Sequence, residues 1–71
     1  MRVKEIMKSS RGSKTKVTVS PDENIDNAAL LMSDNNMSSI SVVDKGKVVG
    51  VITKDDLIKN SDDINEDFFL D

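Results

Sequence analysis

Hydrophobic positions along the chain fall into short blocks separated by polar punctuation. Val3, Ile6 and Met7 form the first block, which reads as a short strand or a helical turn over Val3–Met7. Residues 8–16, KSSRGSKTK, are wholly polar and hold Gly12 and three serines, the composition of a flexible loop. Val17-Thr18-Val19 is a brief β-branched run that stops at Ser20-Pro21, where proline interrupts regular structure. Beyond it, Ile25, Ala28, Ala29 and Met32 follow the i, i+3, i+4, i+7 spacing of one helical face, with Leu31 beside them. Asn24 is placed to cap that helix, and Asp22, Glu23 and Asp26 put negative charge near its positive end. Asn35-Asn36 offers the left-handed residue that commonly ends a helix.

The pattern then changes period. Ile40, Val42 and Val43 predict a strand, and Val48-Val49-Gly50-Val51-Ile52 predicts its return after a tight turn at Asp44-Lys45-Gly46-Lys47. Because the apolar run is nearly continuous, both faces of this hairpin are expected to be covered. Thr53 caps a second helix, Lys54 to about Asn60. The acidic residues 61–71 are a tail or a further helical turn from Asp62, with Ile64 and Phe68 on one side. The order is β-α-β-β-α, an α/β arrangement without an internal repeat.

Composition narrows what such a unit can be. Seventy-one residues make one domain, which buries only about 60% of the surface its unfolded chain exposes. Small domains add disulfides, metal or association. With no cysteine and no histidine, association with another copy is the remaining route. No apolar run approaches the roughly 20 residues of a membrane helix, and the start lacks a signal peptide's apolar stretch. A cytoplasmic protein is expected, consistent with the missing cysteines. The net charge of −3 hides a gradient: residues 1–16 carry six bases against Glu5, while residues 61–71 are acidic without a base. With Phe68 and Phe69 the only aromatics, nucleic acid is not expected as a partner.

Three segments, VKEIM, VTVSPDENIDNAALLM and ISVVDKGKVVGVITKDDL, resemble the CBS domain family in order and spacing, and together they cover most of residues 3–58. The resemblance implies a single CBS copy over residues 1–60, with a short mixed, mostly antiparallel sheet and two helices on one side. It also implies pairing: CBS copies pack two by two into a Bateman module whose clefts accept AMP, ADP, ATP, S-adenosylmethionine or a related molecule, usually to regulate an attached protein. With one copy present, the pair is expected to be a homodimer or to include another chain. Two departures stand out. Ser41 occupies the place where the family usually has proline, and the loop at 8–16 is several residues longer than the usual connection.

Candidate chemistry centres on Thr53-Lys54-Asp55-Asp56. The resemblance assigns Asp56 to the two hydroxyls of a ribose, with Thr53 on a ribose or phosphate oxygen. Gly50 would let backbone approach the ligand. An equally physical reading makes Thr53 and Asp56 a capping pair at the start of the second helix. By family analogy an adenine would be lined by Val17, Thr18, Ser39, Ile40 and Ser41, although Val17 and Ile40 also suit an ordinary core. Lys14 and Lys16 could neutralise phosphates or simply be solvated. Of the two phenylalanines, one is expected to meet a partner chain.

Catalysis finds no support, since neither a Ser-His-Asp nor a Cys-His set can be built without histidine. The acidic tail lacks the spacing of a calcium loop, so no metal site is expected. Two functions remain: a regulatory nucleotide sensor, or a dimerisation module with an empty cleft. The chain could equally be part of a longer tandem-CBS protein.

Overall fold

The fold is described from a computed structural model, which covers residues 1–61 and 64–69. Two short strands, β1 (Lys8–Ser9) and β2 (Thr18–Val19), precede helix α1 (Ile25–Asp34). The hairpin β3 (Ser39–Asp44) and β4 (Lys47–Thr53) follows, and then helix α2 (Lys54–Asn60). Turns of 3-10 helix lie at Val3–Glu5 and Glu66–Phe69. The four strands form one mixed sheet in the order β1-β4-β3-β2, antiparallel except for the β2–β3 pair.

Both helices pack on one face of this sheet. The α1 stripe Ile25, Ala28, Ala29 and Met32 meets Ile40, Val42 and Ile52 from the hairpin, Val19 from β2 and Leu57 from α2. Met32, Ile40, Ile52 and Leu57 are fully buried, each removing roughly 1.5–3 kcal/mol worth of apolar surface from water. The local signals act as their chemistry requires. Asn24 Oδ1 accepts the Asp26 amide at 2.8 Å, which caps α1. Asn36 takes φ 54° just beyond its end, and the hairpin turns through Lys45 and Gly46 at φ 52° and 80°.

Several expectations are corrected. Of the two readings of Val3–Met7, the helical turn is the one formed, as a 3-10 turn over Val3–Glu5. Its Val3 is fully buried and anchored by the Val3 amide to the Glu23 carbonyl at 2.8 Å. The expected loop at 8–16 begins as strand β1, which adds a fourth strand to the sheet. Val17 stands just outside β2. The hairpin does not bury its two faces alike: residues of the helix-side row are buried, whereas Val43, Val48 and Val51 remain half-exposed. A β-bulge at Val49, between the Val42–Gly50 and Val43–Val48 pairs, bends β4 near its start. Finally, Phe68 and Phe69 both pack against the core, half-buried and edge to face at 5.2 Å. Ile64 is buried with them, while the helical start expected at Asp62 lies outside the described residues.

Candidate functional site

Strand geometry sorts the candidate residues before any ligand is considered. Side chains alternate between the faces of a sheet. Since Ile40, Val42 and Ile52 point into the core, Ser39, Ser41, Val51 and Thr53 face the opposite side. The register sets Lys8, Val51, Ser41 and Thr18 in one row across that outer face, with Thr53 and Ser39 paired in the next. The structure therefore brings Thr18, Ser39, Ser41 and Thr53 together, and adds Lys8.

Two members of the expected set belong elsewhere. Ile40 is fully buried among the core side chains, so its side chain cannot line an adenine slot. Gly50 lies in the other row, opposite Ser9 and Val42. A Cβ there would stand 2.7 Å from Met7 Sδ and 2.8 Å from the Lys8 carbonyl oxygen. The close approach that Gly50 permits is that of the chain entering β1, which is why a side chain is excluded. Val17 is half-buried and packs against the core, and Lys14 and Lys16 are exposed.

Thr53 and Asp56 meet at the start of α2. Thr53 Oγ1 accepts the Asp56 amide at 3.3 Å, and Asp56 Oδ2 accepts the Thr53 amide at 3.3 Å and the Thr53 hydroxyl at 3.1 Å. This is a reciprocal capping box. It engages one carboxylate oxygen. The other, Oδ1, faces Lys8 Nζ at 3.8 Å, an ion pair too long for a hydrogen bond. The Asp56 side chain is only 14% exposed, so its second oxygen is a shielded acceptor directed at the exposed Lys8 ammonium. The Lys54 amide donates to the Ser38 carbonyl at 3.0 Å, locking the start of α2 to the start of β3.

Ser41 has a part that sequence reasoning missed. It is 3% exposed, and it exchanges hydrogen bonds with Thr15: the Thr15 amide donates to Ser41 Oγ at 3.0 Å, and the Ser41 amide donates to Thr15 Oγ1 at 2.9 Å. Ser41 Oγ also donates to the Ser13 carbonyl at 3.2 Å. A proline at this position could form none of these three bonds. No sequence signal links Thr15 to a residue 26 positions away. Lys8 was likewise hidden in a polar run.

The family profile of the CBS domain matches residues 3–63. The chain belongs to the CBS domain family. An uncharacterised protein of Methanocaldococcus jannaschii is 44% identical over 48 residues, which span 68% of this chain and 26% of that protein. A CBS domain from a CBS domain-containing membrane protein of Sphaerobacter thermophilus superimposes with a TM-score of 0.60 at 34% identity, over 62% of this chain and 27% of that one. The CBS domain pair of protein MJ0100, crystallised with 5′-methylthioadenosine and S-adenosyl-L-methionine, gives 0.59 at 39% identity, over 61% of this chain and 37% of that one. The chain thus spans between about a quarter and two fifths of these relatives' lengths.

Among the described residues no group of acidic side chains is placed to hold a metal ion. None of their helices is long and apolar enough to cross a membrane. A groove of about 170 Å³ lies at the far end of α1, lined by Met32, Met37, Lys54 and Phe69 among others. It contains neither Thr53 nor Asp56 and is separate from the outer face.

Proposed function

We propose that this CBS domain is one half of a regulatory pair that binds an adenosine-containing molecule, AMP, ADP, ATP or S-adenosylmethionine, on the outer sheet face beside Thr53 and Asp56. The observation that carries this reading is the Asp56 carboxylate. One oxygen completes the cap of α2, while the other is shielded, lacks a hydrogen bond to Lys8 and stands beside Thr53 and the polar row of Ser39 and Ser41. A ribose hydroxyl is a suitable donor to such an oxygen. The adenosine ligands held by the related pair of MJ0100 support the same class. The role is regulatory rather than catalytic: ligand binding shifts the pair between states of different affinity for it. The second half of the pair is a second copy of this chain or a further CBS copy.

The alternative reading is a pairing module that holds no nucleotide. The observation in its favour is Ser41, buried under Ser13 and Thr15 where an adenine would lie. Isothermal titration with AMP, ATP and S-adenosylmethionine separates the two. Binding of one ligand is expected. Asp56→Asn, which keeps an acceptor for the cap, is expected to weaken binding by about 10- to 100-fold while the far-ultraviolet circular dichroism stays unchanged. Equal affinity in that variant would remove Asp56 from the site.

A further inference from the structure

The connection between β1 and β2 has an unusual task. These strands are consecutive in sequence but stand at opposite edges of the sheet, with β4 and β3 between them. The pairings also make them parallel, since β1 is antiparallel to β4, β4 antiparallel to β3, and β3 parallel to β2. A parallel connection must travel back across a face of the sheet. The helices fill one face, so residues 10–17 cross the other, over three strand spacings or roughly 14 Å. The hydrogen bonds at Ser41 trace that crossing. Ser41 Oγ points to the outer face and is held by the Ser13 carbonyl and the Thr15 amide, while Thr15 Oγ1 receives the Ser41 amide and donates to the Val17 carbonyl.

We infer that residues 10–17 are a self-occupying strap, latched by Thr15 on Ser41, which shuts the outer face against an adenosine ligand until the latch opens. The inference rests on the proposed ligand reading and adds a gate to it. Strap and ligand compete for the same place: the row Thr18–Ser41–Val51–Lys8 is the floor beside Asp56, and at Ser41 the strap leaves 3% of the residue exposed. The latch is also shallow. It lies on a segment with Gly12 and exposed Ser13, Lys14 and Lys16, polar from Ser10 to Lys16, whose one apolar side chain, Val17 at its far end, is half-buried against the core. Such segments open at low cost relative to the core. Binding through a rare open state reduces apparent affinity by the open fraction.

Thr15→Val tests the latch, because it keeps the side-chain shape, lies outside every strand and helix, and removes the hydroxyl that joins Ser41 to Val17. Hydrogen exchange is expected to speed up at the Ser41 and Thr15 amides and to stay slow in α1 and β4. AMP or ATP is then expected to bind roughly tenfold more tightly than to the wild type, with faster association. Faster exchange with equal affinity would overturn the strap and leave the ligand site standing. Silence from AMP, ATP and S-adenosylmethionine in both proteins, with the latch shown to be open in the variant, would overturn the ligand reading itself and the gate with it. Unchanged exchange would show that Thr15 holds nothing. Ser41→Ala provides a second variant by cutting the other arm of the latch, and the same faster exchange at the Thr15 amide is expected from it.

Discussion

On the helix-side face of the hairpin, Ile40, Val42 and Ile52 are fully buried; one position along each strand, Ser41 and Val51 look the other way onto a face with polar neighbours. The inner face is held by area and fit. Any apolar side chain of the right volume would serve much of its purpose, and its residues contact several elements at once. The outer face is held by direction: a handful of hydrogen bonds at Ser41, Thr53 and Asp56 fix where a strap and a helix start lie. The first kind of order resists change and carries stability. The second is cheaper to rearrange, and that suits it to exchange with a ligand.

The sharpest way to break the inner face is Ile52→Ala. Ile52 is fully buried, pairs with Ile40 across the hairpin and belongs to the common core. Removing its methyl and methylene groups is expected to cost about 2–5 kcal/mol, a large share of what a domain this small possesses. Urea denaturation followed by circular dichroism measures it. A loss below about 1 kcal/mol would mean that the core closes around the gap and that the inner face is less rigid than its burial indicates.

The difference between the faces also explains what could be read from residues alone. The inner face was legible because a repeating pattern encodes it: the α1 stripe, Ile40, Val42 and Ile52 all follow from period, and the caps at Asn24 and Thr53 follow from local chemistry. The positive φ at Asn36 and Gly46 was legible for the same reason. Strand β1 was not. Lys8 and Ser9 carry no strand preference and are placed by pairing with Val51 and Gly50, more than 40 positions away. Gly50 was assigned to the ligand, yet its role becomes visible only when Met7 and Lys8 are seen against it. Ile40 entered the candidate pocket by family analogy beside the reading of an ordinary core residue, and the alternation that turns Ser39 and Ser41 outward puts its side chain in the core. Ser41 itself was recognised as a departure from proline, but its partners Ser13 and Thr15 are set by the crossing of the strap.

Gly50→Ala probes the seam between the two kinds of order. The added methyl would meet a flexible methionine sulfur and, at 2.8 Å, the rigid Lys8 carbonyl. Overpacking of this sort is expected to cost about 1–3 kcal/mol, with exchange accelerating first at Lys8 and Ser9. Because backbone is the harder obstacle, adding Met7→Ala is expected to restore only part of the loss. Full restoration would place the whole conflict at the Met7 side chain and leave β1 free to move. Lys8, the partner of Asp56, rides on this strand, so the same variant also tests whether the candidate site depends on β1.

Val51→Thr makes the smallest change and asks the most of the outer face. The two side chains have nearly the same shape and both favour strands, so at a half-exposed position the exchange is expected to alter stability by no more than about 0.5 kcal/mol. That expectation holds for an unpaired chain. If a second copy covers the outer face, Val51 becomes part of a desolvated interface, and the new hydroxyl is buried there without an assured partner. Stability then acquires a dependence on protein concentration, because association favours the folded state by mass action. Melting wild type and Val51→Thr over a hundredfold range of concentration therefore reads the pairing face directly. Parallel curves at all concentrations would mean that the outer face remains uncovered and that pairing uses another surface. Curves that separate as concentration rises would locate the second copy on the strap side of the sheet, where its approach and the opening of the latch would be coupled.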